Sequence, residues 1–272
     1  MVAIFFSLVV LSCASLPSKS SSPAVNPAKK GAVQNSETAE SRFWHSLPAR
    51  DGLVFIGSAG VRSNRDDSIK LALQDIARKV SIFSSVEGEF VAHHKTGSGF
   101  FDFTADTKTS LAFNEDYQGY VESLDFDPDT DVIQYENSIF VRARYNGSGS
   151  IPINYELFNG TNGSKPSWID NPPKEISGYT VGVGFASRRA VHRDTVNASF
   201  EAAIFSVIKE ISSQITGGDV NYQGNGTFDY RTTNENTITA RGVLNNFYVL
   251  DTWIDKSNKA VWTLAVARVS TP

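Results

Sequence analysis

The chain carries one sequence pattern twice, in residues 41–146 and again in 166–272, and this duplication limits the fold more than any single motif does. Whatever architecture satisfies one copy must also satisfy the other. Each copy opens with a tryptophan shortly before a proline, Trp44 and Pro48 in the first, Trp168 and Pro172 in the second. A short apolar strand ending in glycine follows, LVFIG to Gly57 and YTVGVG to Gly184. Beyond it stand Asp66 and Asp67 in one copy and Asp194 in the other, residue types that cap helix N-termini.

The next stretch of each copy has helical periodicity. Ile69, Leu73, Ile76, Val80 and Phe83 recur on one helix face, and Val196, Phe200, Ala203 and Val207 stand at one constant offset from the first four of them. Both helices give way to alternating segments rich in Thr, Tyr and Phe. These are GFFDFTADTKTSLAF, YVESLDF and SIFVRARY in the first copy, and NGTFDYRTTNENTITARGVL, NFYVLDTWI and AVWTLAVARV in the second. Leu124-Asp125 aligns with Leu250-Asp251, and Ala143-Arg144 with Ala267-Arg268.

One amphipathic helix per unit covers only one face of a sheet. The expected fold is therefore α+β: two repeated modules, each an antiparallel sheet of about three to four strands with one amphipathic helix on one face. Between them, residues 147–165 carry Asn-Gly pairs, Ser and Gly and read as a linker, although IPINYELF within it has strand character.

The first forty residues have a different composition. An apolar run at residues 2–11, VAIFFSLVVL, is too short to cross a bilayer and suits a signal-peptide core. It ends at Val10-Leu11-Ser12-Cys13, which resembles a bacterial lipobox, with the only cysteine of the chain at the position that would be lipidated. Leu11 replaces the commoner small residue, and no Lys or Arg precedes the run. Three readings of Cys13 stand side by side: lipidation, secretory cleavage after Ala14, and burial on an apolar strand. Lipidation is favoured because residues 14–40 are Ser-, Pro-, Ala- and Lys-rich and cannot order themselves by burial. A random coil of that length reaches about 30 Å. The expected organisation is a signal peptide at 1–12, a flexible tether at 13–40, a first α+β module at 41–146, a linker at 147–165 and a second module at 166–272.

PSWIDNPP, YTVGVGFAS and the alanine-bearing helix that follows resemble the LPP-twenty family of bacterial lipoproteins, as Trp44 to Phe83 does more weakly. That family includes a surface antigen lipoprotein and the N-terminal part of flagellar assembly protein T. The resemblance implies an envelope lipoprotein without catalysis, held by lipid at the membrane and binding outer-membrane or flagellar components.

Several chemistries are disfavoured by the residues themselves. A net charge of −4 does not suit a protein that grips many phosphates, which argues against nucleic acid. Gly182 and Gly184 begin a dinucleotide fingerprint, but Ser187 occupies its third glycine position and helix stands where the ribose-binding acid is needed. His93 and His94 are adjacent in a strand, on opposite faces, and do not jointly grip a metal. Asp125, Asp127, Asp129, Asp131 and Glu136 have calcium-loop spacing, yet Thr130 sits where the loop needs glycine. No G-x-S-x-G elbow occurs. Arg188, Arg189 and Arg193, with His192, form a basic run before the second helix and are the candidate contact for a partner or anion.

The expectation is thus a non-enzymatic, lipid-anchored envelope protein at the periplasmic face of the outer membrane, with no cofactor and no metal. A periplasmic enzyme or small-ligand binder using the cleft between modules, and a surface adhesin, are the alternatives.

Overall fold

LVFIGSAG forms β1 (Leu53–Gly60), and the periodic stretch after it forms α1 (Arg65–Ser84). In the computed structural model, residues 43–44, 52–94, 105–151, 153, 165–216, 228–234 and 237–269 are described; Cys13, the signal and tether segments and His45 lie outside them. The first segment continues through β2 (Val86–His94), β3 (Ala105–Phe113), a 3-10 turn (Gln118–Ser123), β4 (Leu124–Asp125), β5 (Val132–Tyr135) and β6 (Ser138–Tyr145). The second contains α2 (Ser167–Asp170), β7 (Glu175–Ile176), β8 (Tyr179–Ala186), α3 (His192–Thr216), β9 (Phe228–Asn234), β10 (Thr237–Asp255) and β11 (Ala260–Val269). The N-cap of α1 is Asn64, not an aspartate: its side chain accepts the Asp66 N–H at 3.0 Å, and Asp66 and Asp67 fill the first turn, where carboxylates suit the helix dipole.

All strand pairs are antiparallel, and the class is α+β. In the four-stranded sheet β6 is central, with β1, β4 and β5 pairing it. The seven-stranded sheet runs β3-β2-β10-β11-β8-β7, with β9 also on β10. A sheet for each module is not what forms, because β2 and β3 of the first segment join β10 of the second. The cause is β10 itself, a single strand of 19 residues. Its first part, up to Leu244, pairs β2, and its later part pairs β11. The register with β11 shifts between Asn245 and Tyr248, where Asn246 has φ 53°, and again between Val249 and Asp251, so the strand bulges while it pairs β11.

Residues Glu37–Pro272 accordingly form one compact unit. Phe55, Ile76, Val80 and Val141 of the first segment share a buried cluster with Tyr179, Tyr248, Leu264 and Val266 of the second. Ile151 and Ile153, from the stretch read as linker, are buried in it too.

The two glycine-ended strands seat their helices by the same device. A Cβ on Gly57 would lie 2.1 Å from the Ala72 carbonyl oxygen, and one on Gly184 would lie 1.9 Å from that of Ser199. Each helix backbone therefore rests where a side chain would be. The strands opposite place Ala143 against Phe55 and Ala265 against Gly182, so Ala143 answers to Ala265, and the sequence pairing with Ala267 is out of step.

Gly57→Ala and Gly184→Ala are each expected to cost about 3 kcal/mol or more, because a backbone carbonyl must move. Gly119→Ala, with nothing within 4 Å of the added carbon, is the control. Denaturant midpoints that leave all three indistinguishable from the parent would contradict this seating.

Candidate functional site

Among the described residues strand β1 has one strand neighbour, β6, and a strand with a bare edge invites foreign pairing. Here side chains close that edge. The Tyr248 hydroxyl accepts the Val54 N–H at 3.1 Å and donates to the Val54 carbonyl at 2.8 Å. Lys79 Nζ donates to the Ile56 carbonyl at 2.7 Å, and Asp75 Oδ2 accepts the Ser58 N–H at 2.9 Å. Asp75 and Lys79 pair at 3.0 Å, one turn apart on α1. The Ser58 hydroxyl lies 3.2 Å from Asp75 Oδ2 and 3.3 Å from Asn197 Oδ1 on α3, which ties both helices to this edge.

Burial pushes the Asp75 carboxyl up, but the Lys79 and Arg78 charges outweigh it and hold it below its ordinary value. Burial lowers Lys79, against the Asp75 charge. Lys79 Nζ also lies 5.2 Å from the Phe200 ring centroid. Its donors are thus directed to a carbonyl, a carboxylate and an aromatic face, which is a structural assignment for a buried lysine.

Beside this edge a cavity of about 30 Å³ is lined by Trp44, Ile56, Lys79, Phe200, Thr252 and Thr263, among others. Trp44 is 5% exposed, and its Nε1 has no hydrogen-bond partner among the described residues. Its counterpart differs, since Trp168 Nε1 donates to buried Asp251 at 2.9 Å. The space is large enough for a water, which would satisfy the indole N–H.

The basic run divides in two. Arg188 and Arg189 are exposed, and neither has an ion-pair partner among the described residues. Arg193 is held by the first segment: its N–H donates to Ser138 Oγ at 3.0 Å, and its guanidinium pairs with Asp194 at 3.2 Å and packs over Gly60. His192 is 4% exposed, packed 4.6 Å from the Tyr135 ring and 5.9 Å from Phe140. Its Nε2 has no partner among the described residues, and burial lowers its pKa from 6.5 against the pull of Glu136.

The acidic hairpin spends its charges locally. Asp131 Oδ2 accepts the Asp127 N–H at 3.0 Å, Asp127 Oδ1 accepts the Asp129 N–H at 2.9 Å, and Glu136 takes Lys259 at 2.8 Å. Among the described residues, no group of three or more His, Cys, Asp and Glu is placed to share a metal ion. His93 and His94 fall in β2, opposite Thr237 and Ala105.

Two features escaped sequence reasoning. One is the Asp75–Lys79 pair, whose available signal was the one-turn spacing and a lysine beside Ile76 and Val80 on the apolar stripe. The other is a row of aromatics across three strands, in which Trp253 lies opposite Trp262 and Trp262 opposite Phe185. Comparison with protein-family models, curated proteins and solved structures finds no match to this chain.

Lys79→Met is expected to destabilise the protein by about 2 kcal/mol or more, because the buried Ile56 carbonyl loses its donor and Asp75 keeps only Arg78, at 3.4 Å, as a cationic partner. Lys259→Met, which removes an exposed bridge, should cost at most about 1 kcal/mol. Equal shifts of the urea midpoint in the two variants would refute the edge-sealing role.

The folded state binds a proton at His192 more weakly than the unfolded chain does. The stability that neutral His192 permits is therefore complete above pH 6.5 and declines as the pH falls below it. His192→Phe should lose less stability than the parent between neutral and mildly acidic pH, as read by urea titrations at each pH.

Proposed function

We propose that the protein is a lipid-anchored bacterial cell-envelope lipoprotein with a non-catalytic structural and interaction role, at the periplasmic face of the outer membrane. The observation that carries this reading is Cys13. The only thiol of the chain stands directly behind a short apolar run and ahead of a segment with almost no large apolar side chains. The first described residues, Phe43 and Trp44, follow just past where that composition ends and are buried, which supports it. So does the use of the buried ionic groups: Asp75 and Lys79 seal a strand edge. Tying both segments to one edge suits a body that must stay rigid while a partner is held. The resemblance to LPP-twenty lipoproteins adds outer-membrane or flagellar proteins as partners.

Lipidation would attach diacylglycerol through a thioether at Cys13, and stable retention takes more than one acyl chain. Cys13→Ser is expected to abolish acyl labelling and move the protein to the soluble fraction after cell lysis. A variant that stays with the membranes, alongside a parent that takes up no acyl label, rules the anchor out.

A further inference from the structure

The aromatic row lies at one end of the seven-stranded sheet. Phe185 is 48% exposed and lies 4.5 Å from the Trp262 ring centroid, and Trp253 is directly opposite Trp262 on β10. The corresponding row of the four-stranded sheet is Ser58, Phe140 and Ile133, likewise in direct cross-strand register. That row is covered, with Phe140 fully buried 4.9 Å from Trp44 and 5.9 Å from His192. In the second sheet Phe185 is exposed at the end of the row, while Trp262 and Trp253 are partly buried and pack against the main core.

Charge bears on what meets it. The loop that follows Phe185 brings Arg188 and Arg189, both exposed, to this end. Of the nearby acids, Glu136 pairs with Lys259, while Asp255 stays ionised, its pKa lowered to about 2 by the hydrogen bonds it accepts from Ser257 and Asn258 in its own turn. Phe43 and Trp44 pack in one cluster with Ile254 and Val261, the neighbours of Trp253 and Trp262 on the opposite face of the same two strands.

We propose that this end of the molecule rests on an anionic phospholipid surface, with Phe185, Trp262 and Trp253 at the headgroup level and Arg188 and Arg189 on lipid phosphates. Amphipathic aromatic rings settle at membrane interfaces, and guanidinium groups pair with phosphate. The membrane would be the one that holds the lipid, so the inference builds on the anchor reading and gives the body an orientation.

The test uses the chain from residue 13 onward carrying Cys13→Ser, so that no acyl chain contributes. It should co-sediment with vesicles containing phosphatidylglycerol but not with phosphatidylcholine vesicles, and added salt should release it. Arg188→Gln with Arg189→Gln should weaken binding about thirtyfold, since each basic residue near an anionic surface contributes about a factor of five. Phe185→Ser should weaken it without changing the far-UV circular dichroism or the cooperativity of urea unfolding. A folded chain that stays in the supernatant with anionic vesicles overturns the proposal, as does binding indifferent to both variants. Photo-crosslinking from position 185 in cells that captures an acidic protein segment and no lipid overturns it too. Because this chain has no acylated cysteine, loss of the anchor reading and loss of this one are separate results.

Discussion

The free edge of β1 is the constraint on which the rest of the structure depends. Strand β6 satisfies one side of β1, and among the described residues no further strand pairs the other, so Val54, Ile56 and Ser58 take side-chain partners within the core. Tyr248 comes from the far segment, and Lys79 and Asp75 come from α1. A buried pair is weak evidence of stability by itself, because desolvation offsets much of its attraction. Its value here lies in the backbone groups it satisfies. It also fixes α1 over β1 and β10 alongside, which joins the two segments into one body.

The helix seats follow the same logic. At Gly57 and Gly184 the strand gives up a side chain so that a helix backbone can approach, and the approach is close enough to fix the helix along the strand. On α1 that position is what carries Asp75 and Lys79 to the edge of β1. On α3 it carries Asn197 toward Ser58 and His192 into the space between Tyr135 and Phe140. Close packing at two glycines therefore decides which polar groups can meet.

Local features were legible in the sequence and strand allegiance was not. The glycine-ended strands, both long helices and the hairpin of β10 with β11 follow from period, capping residues and turn composition. The sheet partition failed because pairing is a long-range choice. NENTITARGVLNNFYVLDTWI looks like two strands broken at Asn245-Asn246, whereas the chain bulges there and continues. Nothing local says that β2 will meet Thr237 to Leu244. The basic run was visible as a run, but its division was not: Arg193 belongs with Ser138 and Gly60, residues far away in the chain. Exposure of Phe185 was illegible for the same reason, since alternation alone places it on a face without saying what covers that face.

The two tryptophans show how one pattern can carry two duties. Trp168 is satisfied by Asp251 and belongs wholly to its core. Trp44 packs against Phe140 of the first segment and Val196, Ile254 and Val261 of the second, with its indole N–H unpaired beside a small cavity. Among the described residues it is held by shape and apolar contact, in a seam formed by both segments.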